Sequence, residues 1–406
     1  MTTDPDRAVA AHYDRFPYPP LRRMHVPTPP AHALGRLGFL LRRRSSLRAE
    51  RIWVAGCGTQ QGARFGLMFP DADVLATDVS AEALGAARQL ADSVGASVRF
   101  AQRDLRSERG PFDLVACTGV VHHLADPVGA LRALRDALAP DGAAIVMVYS
   151  RAHRAPLDPV RHLIEALEPS EDEAFDVACA ALAASADPRC APADRALLRG
   201  IWRRRDSDRA TIADTLIHPR ESSYDVPALR TLLRDAGLRF VSWHHPAEWK
   251  LAHYCSDPAL LERAAALGPD REAELVYHLA NVASPSLDVL VERDDAPERA
   301  PWTREERLAM RMTVAGPTRD LDIRDGQLRG ESALPPWQVA NGAIQGTTPT
   351  GRVWMVSEAL LPTLEACDGT RTLGELATSD EIADALLALG PDEAGLLAPA
   401  QSAPAA

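Results

Sequence analysis

RIWVAGCGTQQG, residues 51–62, decides the fold, because an apolar run breaks here into glycines with no charged residue between them. Glycine tolerates positive φ and lacks a Cβ, so the backbone of Gly56, Cys57 and Gly58 can approach a ligand closely. The helix expected beyond Thr59 offers unpaired N–H groups at its start. This strand, turn and helix predict a ligand site outside the carboxyl ends of a parallel sheet.

Short apolar runs alternate with helical patterns on both sides of this turn. We expect strands at 51–55, 73–77, 97–101, 112–117, 143–149, 238–243 and 286–291, and helices at 60–68, 80–93, 127–138, 226–236, 258–267 and 271–280. Strands separated by helices of this length form parallel βαβ units whose sheet is covered on both faces. The fold class is therefore α/β, with a doubly wound, mostly parallel, Rossmann-like sheet.

An acid ends the second strand of this pattern. Asp78 stands about 20 residues after the first glycine, where a carboxylate accepts hydrogen bonds from the two hydroxyls of a ribose. Dinucleotide enzymes use the same acid, but their GxGxxG fingerprint would place the third glycine at Gln61 rather than at Gly62. The spacing favours a methyl donor and leaves NAD as the alternative ligand.

Five motifs in order resemble those of the class I S-adenosylmethionine-dependent methyltransferases, over roughly residues 8–292. They are VAGCGTQQG, ATDVS, QRDL, CTGVVHHLADP and LAPDGAAIVMVYS, and the AVAAHYDRFPYPP segment is similar to one that caps the cofactor in such enzymes. The resemblance implies S-adenosyl-L-methionine as the cofactor. The contacts that it implies come from Tyr13, Gly56, Cys57, Gly58, Thr59, Asp78, Val79, Asp104, Leu105 and Thr118.

Two histidines follow the fourth strand of the expected sheet. The sulfonium of the donor makes its methyl group electrophilic, so the protein mainly aligns the reactants and excludes water. An acceptor that must lose a proton is helped by a positioned general base, and histidine titrates near neutral pH. His122 and His123 are the candidates, with one of them expected to point into the cleft; lining the site without catalysis and a structural role are the alternatives.

The chain divides into several parts. Residues 1–50 are expected to form an N-terminal arm and cap, and residues 51–292 the cofactor-binding domain, in which the Ala/Arg/Glu-rich stretch 151–222 is a helical insertion that covers the acceptor. Residues 293–302 are the expected linker. Residues 303–406 form a small α/β or winged-helix-like module with a disordered tail, PAQSAPAA. Its DGTRTLGELA segment resembles peptide-binding winged-helix units attached to enzymes of peptide natural-product biosynthesis.

Composition excludes several classes of function. The formal net charge of −11 and the isolated arginine triplets disfavour a nucleic-acid partner. No secretory h-region and no membrane-spanning apolar stretch are present, so we expect a soluble, cytoplasmic protein. The six cysteines are scattered without a CxxC pair, which predicts no metal site. Lys250 is the only lysine, which excludes a P-loop.

The expected function is therefore methyl transfer from S-adenosylmethionine to a small molecule or a peptide. An NAD-dependent oxidoreductase and a non-catalytic, nucleoside-sensing scaffold are the alternatives. The residues do not identify the acceptor, the acceptor atom or the oligomeric state, because fold-level analogy does not fix them.

Overall fold

The computed structural model describes residues 4–26, 30–43, 47, 49–170, 173–186, 209–279, 286–324, 326–335, 337–340, 342–347 and 353–400. Its centre is a seven-stranded sheet made of β2 (Arg51–Ala55), β3 (Asp73–Asp78), β4 (Arg99–Gln102), β5 (Phe112–Thr118), β6 (Leu138–Tyr149), β7 (Leu238–Trp243) and β8 (Ser286–Arg293). The strands lie in the order β4-β3-β2-β5-β6-β8-β7. Only β8 runs antiparallel to its neighbours. The predicted doubly wound, mostly parallel sheet is confirmed.

Helices cover both faces of this sheet. The described helices are α1 (Asp4–Arg15), α2 (Pro30–Leu40), α3 (Gln61–Met68), α4 (Ala81–Val94), α5 (Pro127–Ala137), α6 (Arg151–Arg154), α7 (Asp158–Leu167), α8 (Ala174–Ala186), α9 (Arg209–Leu216), α10 (Val226–Asp235), α11 (Pro258–Ala266), α12 (Pro269–Leu279), α13 (Arg304–Leu308), α14 (Leu361–Glu365), α15 (Leu373–Leu376) and α16 (Asp380–Ala388). Apolar side chains of α2, α3 and α4 pack on one face, and those of α5, α10 and α12 on the other. None of the described helices is long and apolar enough to traverse a bilayer.

The helix α4 shows how local signals fix these elements. The Ser80 side chain accepts a hydrogen bond from the Ala83 N–H and so caps the start of the helix. Gly95 ends it in the left-handed region, at φ 69°. The helix therefore delivers its N-terminus, and Asp78 just before it, to the carboxyl edge of the sheet.

The N-terminal arm is divided among three places. Helix α1 lies over the carboxyl edge of the sheet, where the Asp14 carboxylate accepts a hydrogen bond from the Ser80 hydroxyl (2.7 Å). Strand β1 (Arg23–Val26) pairs antiparallel with β10 (Thr318–Arg324). Helix α2 packs on the sheet itself. The arm therefore contacts both the sheet and the C-terminal region.

The stretch 151–222 is helical where it is described, with residues 171–172 and 187–208 outside the described part of the chain. Helices α7, α8 and α9 share a small apolar core of their own, which includes Val160, Leu182 and Ile212. Two members of this stretch, α6 and α9, reach the carboxyl edge of the sheet. They bring polar side chains to the same edge as the glycine turn.

The C-terminal region contains more sheet than the sequence predicts. Its strands are β9 (Arg311–Val314), β10, β11 (Gln327–Leu334), β12 (Trp337–Ala340), β13 (Ala343–Thr347), β14 (Val353–Ser357), β15 (Asp368–Thr372) and β16 (Leu397–Pro399). They form three-stranded sheets in the orders β1-β10-β11, β12-β13-β14 and β15-β9-β16. The prediction of a disordered tail from Pro399 is wrong at its start, because Pro399 pairs with Met312 in β9. Residues 401–406 lie outside the described part of the chain.

A buried charge cluster closes the end of the central sheet. Glu292, the penultimate residue of β8, is 1% exposed. Its carboxylate pairs with the guanidinium groups of Arg43 (2.6 Å), Arg299 (2.8 Å) and Arg239 (3.2 Å). These pairs join the end of α2, β7 and the segment after β8.

The predicted linker 293–302 is packed rather than free. Arg293 belongs to β8. At the other end, Trp302 stacks on Phe39 of α2 with ring centroids 5.5 Å apart, and its indole N–H donates to the Phe39 carbonyl (2.9 Å). The charges and prolines predicted a linker, and within it Arg299 pairs with Glu292 while Trp302 packs on α2.

Candidate active site

The glycine turn after β2 requires glycine at two positions. Gly56 and Gly58 adopt φ values of 66° and 52°, which L side chains rarely occupy. A Cβ at Gly56 would lie 2.3 Å from a methyl carbon of Val120, and one at Gly58 would lie 2.5 Å from the carbonyl oxygen of Tyr18. The chain thus passes between the Val120 loop and the N-terminal arm with no room for a side chain.

Gly62, the third glycine of the motif, serves helix packing. It lies in α3, and a Cβ there would meet the Phe100 ring at 2.7 Å and the Ala76 Cβ at 3.0 Å. The glycine lets α3 rest closely on β3 and β4. Its role is structural, which explains why its spacing departs from the dinucleotide fingerprint.

Asp78 ends β3 beside the glycine turn and is 8% exposed. One carboxylate oxygen accepts from the Gly58 N–H (2.9 Å) and the other from the Ser80 N–H (3.0 Å). Burial raises the pKa of this carboxyl, and the backbone hydrogen bonds act in the opposite direction. Each oxygen keeps acceptor capacity toward the cavity, which suits a pair of hydroxyl donors.

A cavity of about 530 Å³ opens between the carboxyl edge of the sheet, α1 and the insertion. This size is within the range of ligand pockets. The predicted site residues on its wall are Tyr13, Gly56, Cys57, Gly58, Asp78, Val79, Asp104, Leu105, Thr118 and His123. The structure therefore brings most of the predicted residues together.

Thr59 and His122 are the predicted residues that the wall does not include. The Thr59 hydroxyl donates to the Pro19 carbonyl, and its N–H donates to the Tyr18 carbonyl (3.2 Å). Thr59 thus ties down the N-terminal arm instead of facing a ligand. His122 is fully buried behind the wall, with its ring 4.0 Å from the Tyr149 ring centroid.

Helix α1 lines one side of the cavity. Asp6 accepts a hydrogen bond from Arg106 (2.8 Å) and another from the Ala125 N–H (3.2 Å). Arg106 in turn binds Asp104. Burial acts to raise the pKa of the Asp104 carboxyl, but the hydrogen bonds and the charge of Arg106 outweigh burial, so the pKa is lowered. One end of α1 is therefore fixed to the loop after β4 by a charged chain.

The other end of α1 meets the insertion. The Tyr13 hydroxyl donates to one carboxylate oxygen of Asp214 (3.0 Å), and the Tyr149 hydroxyl donates to the other (3.2 Å). Asp214 is 2% exposed. Burial and then the Asp214 charge raise the pKa of both phenols, so both remain protonated donors at neutral pH.

His123 is poised with one free nitrogen. Its Nδ1 donates to the Arg220 carbonyl (2.8 Å), which places the proton on that atom. Its Nε2 has no hydrogen-bond partner among the described residues, although the side chain is almost fully buried. Burial lowers the pKa of His123 against the opposing charge of Asp214, so the ring is neutral. A neutral imidazole with an unpaired Nε2 is a proton acceptor.

Sequence reasoning missed the wall that the insertion builds. Asp214, Thr215, His153 and Arg154 line the cavity, and so do Met147 and Tyr149 of β6. Met147 and Tyr149 belong to the LAPDGAAIVMVYS motif, from which only a strand was expected. The one available signal is the acid inside the apolar run TIADTLI, because an unpaired carboxylate among buried apolar residues requires a reason.

Comparison with known proteins gives a consistent result. Residues 54–144 match the family model of a methyltransferase domain. An uncharacterized protein of Synechococcus sp. is 30% identical over 259 residues, which cover 60% of this chain and 61% of the relative. The ubiquinone biosynthesis O-methyltransferase of Pectobacterium carotovorum subsp. carotovorum is 28% identical over 136 residues, 31% of this chain and 55% of the relative. The chain thus spans less than two thirds of the length of these relatives.

A solved structure shares the fold. The structure of PKMT2 from Rickettsia typhi in complex with AdoHcy superposes with a TM-score of 0.58 at 12% identity, covering 92% of this chain and 74% of that chain. At this identity the likeness concerns the fold. It extends over most of the length of the chain, including the region after the central sheet.

Proposed function

The sheet domain of this chain belongs to the class I S-adenosylmethionine-dependent methyltransferases, and from this premise we propose that the protein transfers the methyl group of S-adenosylmethionine to a small molecule or a peptide. The observation that carries the proposal is the bare turn at Gly56 and Gly58 beside the Asp78 carboxylate, inside a cavity that α1 lines. The methyltransferase match decides against the NAD-dependent alternative.

The residues present fit the nucleoside part of this cofactor. Asp78 supplies carboxylate oxygens for the two ribose hydroxyls. The Gly56 to Gly58 backbone allows close approach, and Asp104 and Leu105 line the same cavity on the side of β4. When bound, S-adenosylmethionine supplies an electrophilic methyl group on its sulfonium.

The chain itself supplies alignment and exclusion of water. Helix α1 is fixed at both ends, by Asp6 to Arg106 and by Tyr13 to Asp214. A closed, low-dielectric site strengthens every electrostatic contact within it. In-line displacement needs the acceptor held at near-contact distance, which a rigid roof and wall provide.

His123 is the general base in this proposal, with His122 as the neutral packing residue behind it. Burial lowers the pKa of both histidines, so both rings are neutral at neutral pH. The unpaired Nε2 of His123 then takes the proton that the acceptor loses. His153, Arg154, Asp214 and Thr215 of the insertion would form the wall on the acceptor side.

Ligand-dependent thermal unfolding tests the cofactor assignment. We expect S-adenosylhomocysteine to raise the Tm and NADH to leave it unchanged, because a ligand that binds the native state stabilises it by mass action. Asp78→Asn should weaken S-adenosylhomocysteine roughly 10- to 100-fold, the scale for charged hydrogen bonds. Asp73→Asn, at the other end of β3, is the matched control.

Two results would contradict the proposal. A Tm increase with NADH alone would assign the turn to a dinucleotide. Binding of S-adenosylhomocysteine without transfer of a labelled methyl group to any component of a cell extract would favour the non-catalytic scaffold.

A further inference from the structure

Asp214 is a buried carboxylate without a cationic partner in contact. It lies in α9 with only 2% of its surface exposed, on the wall of the cavity. Its only described hydrogen bonds come from two neutral donors, the hydroxyls of Tyr13 and Tyr149. A buried charge that neutral groups alone satisfy costs considerable free energy, so its presence requires a function.

The nearby arginines do not neutralise Asp214 by contact. The Arg154 guanidinium binds Glu221 through two of its nitrogens, one of them at 2.9 Å. Arg161 binds the same carboxylate at 2.6 Å. Glu221 therefore holds both cations, and Asp214 is the carboxylate left facing the cavity.

A proton acceptor lies on the same cavity wall as Asp214. Nε2 of His123 is an unpaired acceptor. The Arg154 guanidinium already lies over the Tyr149 ring, 3.9 Å from the ring centroid, so Tyr149 meets Asp214 only through its hydroxyl. A carboxylate and a neutral proton acceptor on one wall suit an ammonium group, which the first attracts and the second can deprotonate.

We propose that the acceptor is a primary or secondary amine, which binds as its ammonium form between the Asp214 carboxylate and Nε2 of His123. This inference rests on the proposed methyl transfer and names the acceptor class for the same site. Amine recognition gives the Asp214 charge a use beyond holding the Tyr13 and Tyr149 hydroxyls.

The chemical step balances without another reactant. The ammonium gives one proton to Nε2 of His123, and the nitrogen lone pair then forms the bond to the methyl carbon. The carbon–sulfur bond breaks and its electron pair goes to sulfur. Positive charge moves from sulfur to nitrogen, and Asp214 stabilises it there, as fixed charges do where charge develops in a transition state.

The test uses the full chain saturated with S-adenosylhomocysteine. Binding of that ligand is measured first, and its absence would contradict the proposed function without bearing on Asp214. The probes are n-propylammonium, n-propanol and propionate at equal concentration and ionic strength, followed by Tm and by calorimetric titration. We expect n-propylammonium alone to bind, and Asp214→Asn to weaken it roughly 30-fold or more, the scale for removing one partner of a buried charge pair.

Controls separate recognition from stability. Asp235→Asn changes an exposed acid on α10 and should leave n-propylammonium binding intact. Tyr149→Phe removes a neutral hydroxyl that competes for Asp214 and keeps the carboxylate, so n-propylammonium should bind at least as well as to the parent protein. If Asp214→Asn fails to fold, a clear loss of n-propylammonium binding in Tyr149→Phe contradicts the inference.

Two outcomes overturn the inference. Equal binding of the three probes would show that the site does not read charge. A fall in the ratio of S-adenosylmethionine to S-adenosylhomocysteine affinity in Asp214→Asn would show that Asp214 faces the sulfonium instead of an acceptor.

Discussion

Gly56→Ala tests whether the glycine turn is as tight as the structure places it. The new Cβ would lie 2.3 Å from a Val120 methyl carbon, at a φ of 66°. The left-handed conformation costs a non-glycine residue about 1–2 kcal/mol. Forcing a methyl group into a packed site costs about 1–3 kcal/mol more. We therefore expect a loss of about 2–5 kcal/mol in the free energy of unfolding, read from the midpoint of urea denaturation.

Two further variants separate the conformational part of this loss from the packing part. Gly85→Ala, on the exposed face of α4, meets no atom within 4 Å and should stabilise the protein by about 0.5–1 kcal/mol. Val120→Ala in the Gly56→Ala background should restore the packing part and leave the conformational part. If Gly56→Ala is as stable as Gly85→Ala, or if the two changes at Gly56 and Val120 are simply additive, the contact that we infer is absent.

Two further predictions concern stability. Glu292→Gln leaves the three arginines around it without their buried counter-charge and should lower the free energy of unfolding by about 3–5 kcal/mol, measured by urea denaturation. Glu331→Gln, in an exposed pair with Arg319, should lower it by less than about 1 kcal/mol. Equal losses in the two variants would contradict the buried cluster. Burial, with a smaller contribution from the charge of Arg36, lowers the pKa of His32 to about 4 against the hydrogen bond to the Leu396 carbonyl. Because the native state resists protonation, this contribution to stability is complete above pH 6.5 and decreases as the pH falls toward 4, by about 2 kcal/mol between pH 7 and pH 5. His32→Gln should show a correspondingly smaller difference between urea midpoints at the two pH values, and an unchanged difference would refute the assignment.

The parts of the site that the sequence predicted are those fixed by neighbours along the chain. Gly56 and Gly58 follow a buried strand directly, and Asp78 ends the next one, so the geometry of a parallel sheet brings them together without further information. His123 was placed at the same edge for the same reason. A short 3-10 helix at residues 121–123 decides which of the two histidines faces the cavity, and the sequence does not predict the orientation of its side chains.

The missed features depend on contacts between distant parts of the chain. Strand β1 finds its partner β10 nearly three hundred residues later, and the side chains of β1 do not specify that partner. Thr59 has the expected position but bonds to the arm, because the Tyr18 and Pro19 carbonyls occupy that side of the turn. The Asp214 carboxylate is held by hydrogen bonds from two tyrosines, one in α1 and one in β6, and neither lies near Asp214 in sequence.

Helix α1 contacts both the nucleoside side and the acceptor side of the proposed site. Its Asp6 end is tied to the nucleoside side through Arg106, and its Tyr13 end is tied to the acceptor side through Asp214. Both ties therefore bear on the position of α1 beside the cavity. The Tyr13 bond is the one that a cation at Asp214 competes with, because both use the same carboxylate. If the acceptor binds Asp214 as proposed, acceptor binding and the position of α1 are coupled through this one side chain, and the coupling is reciprocal.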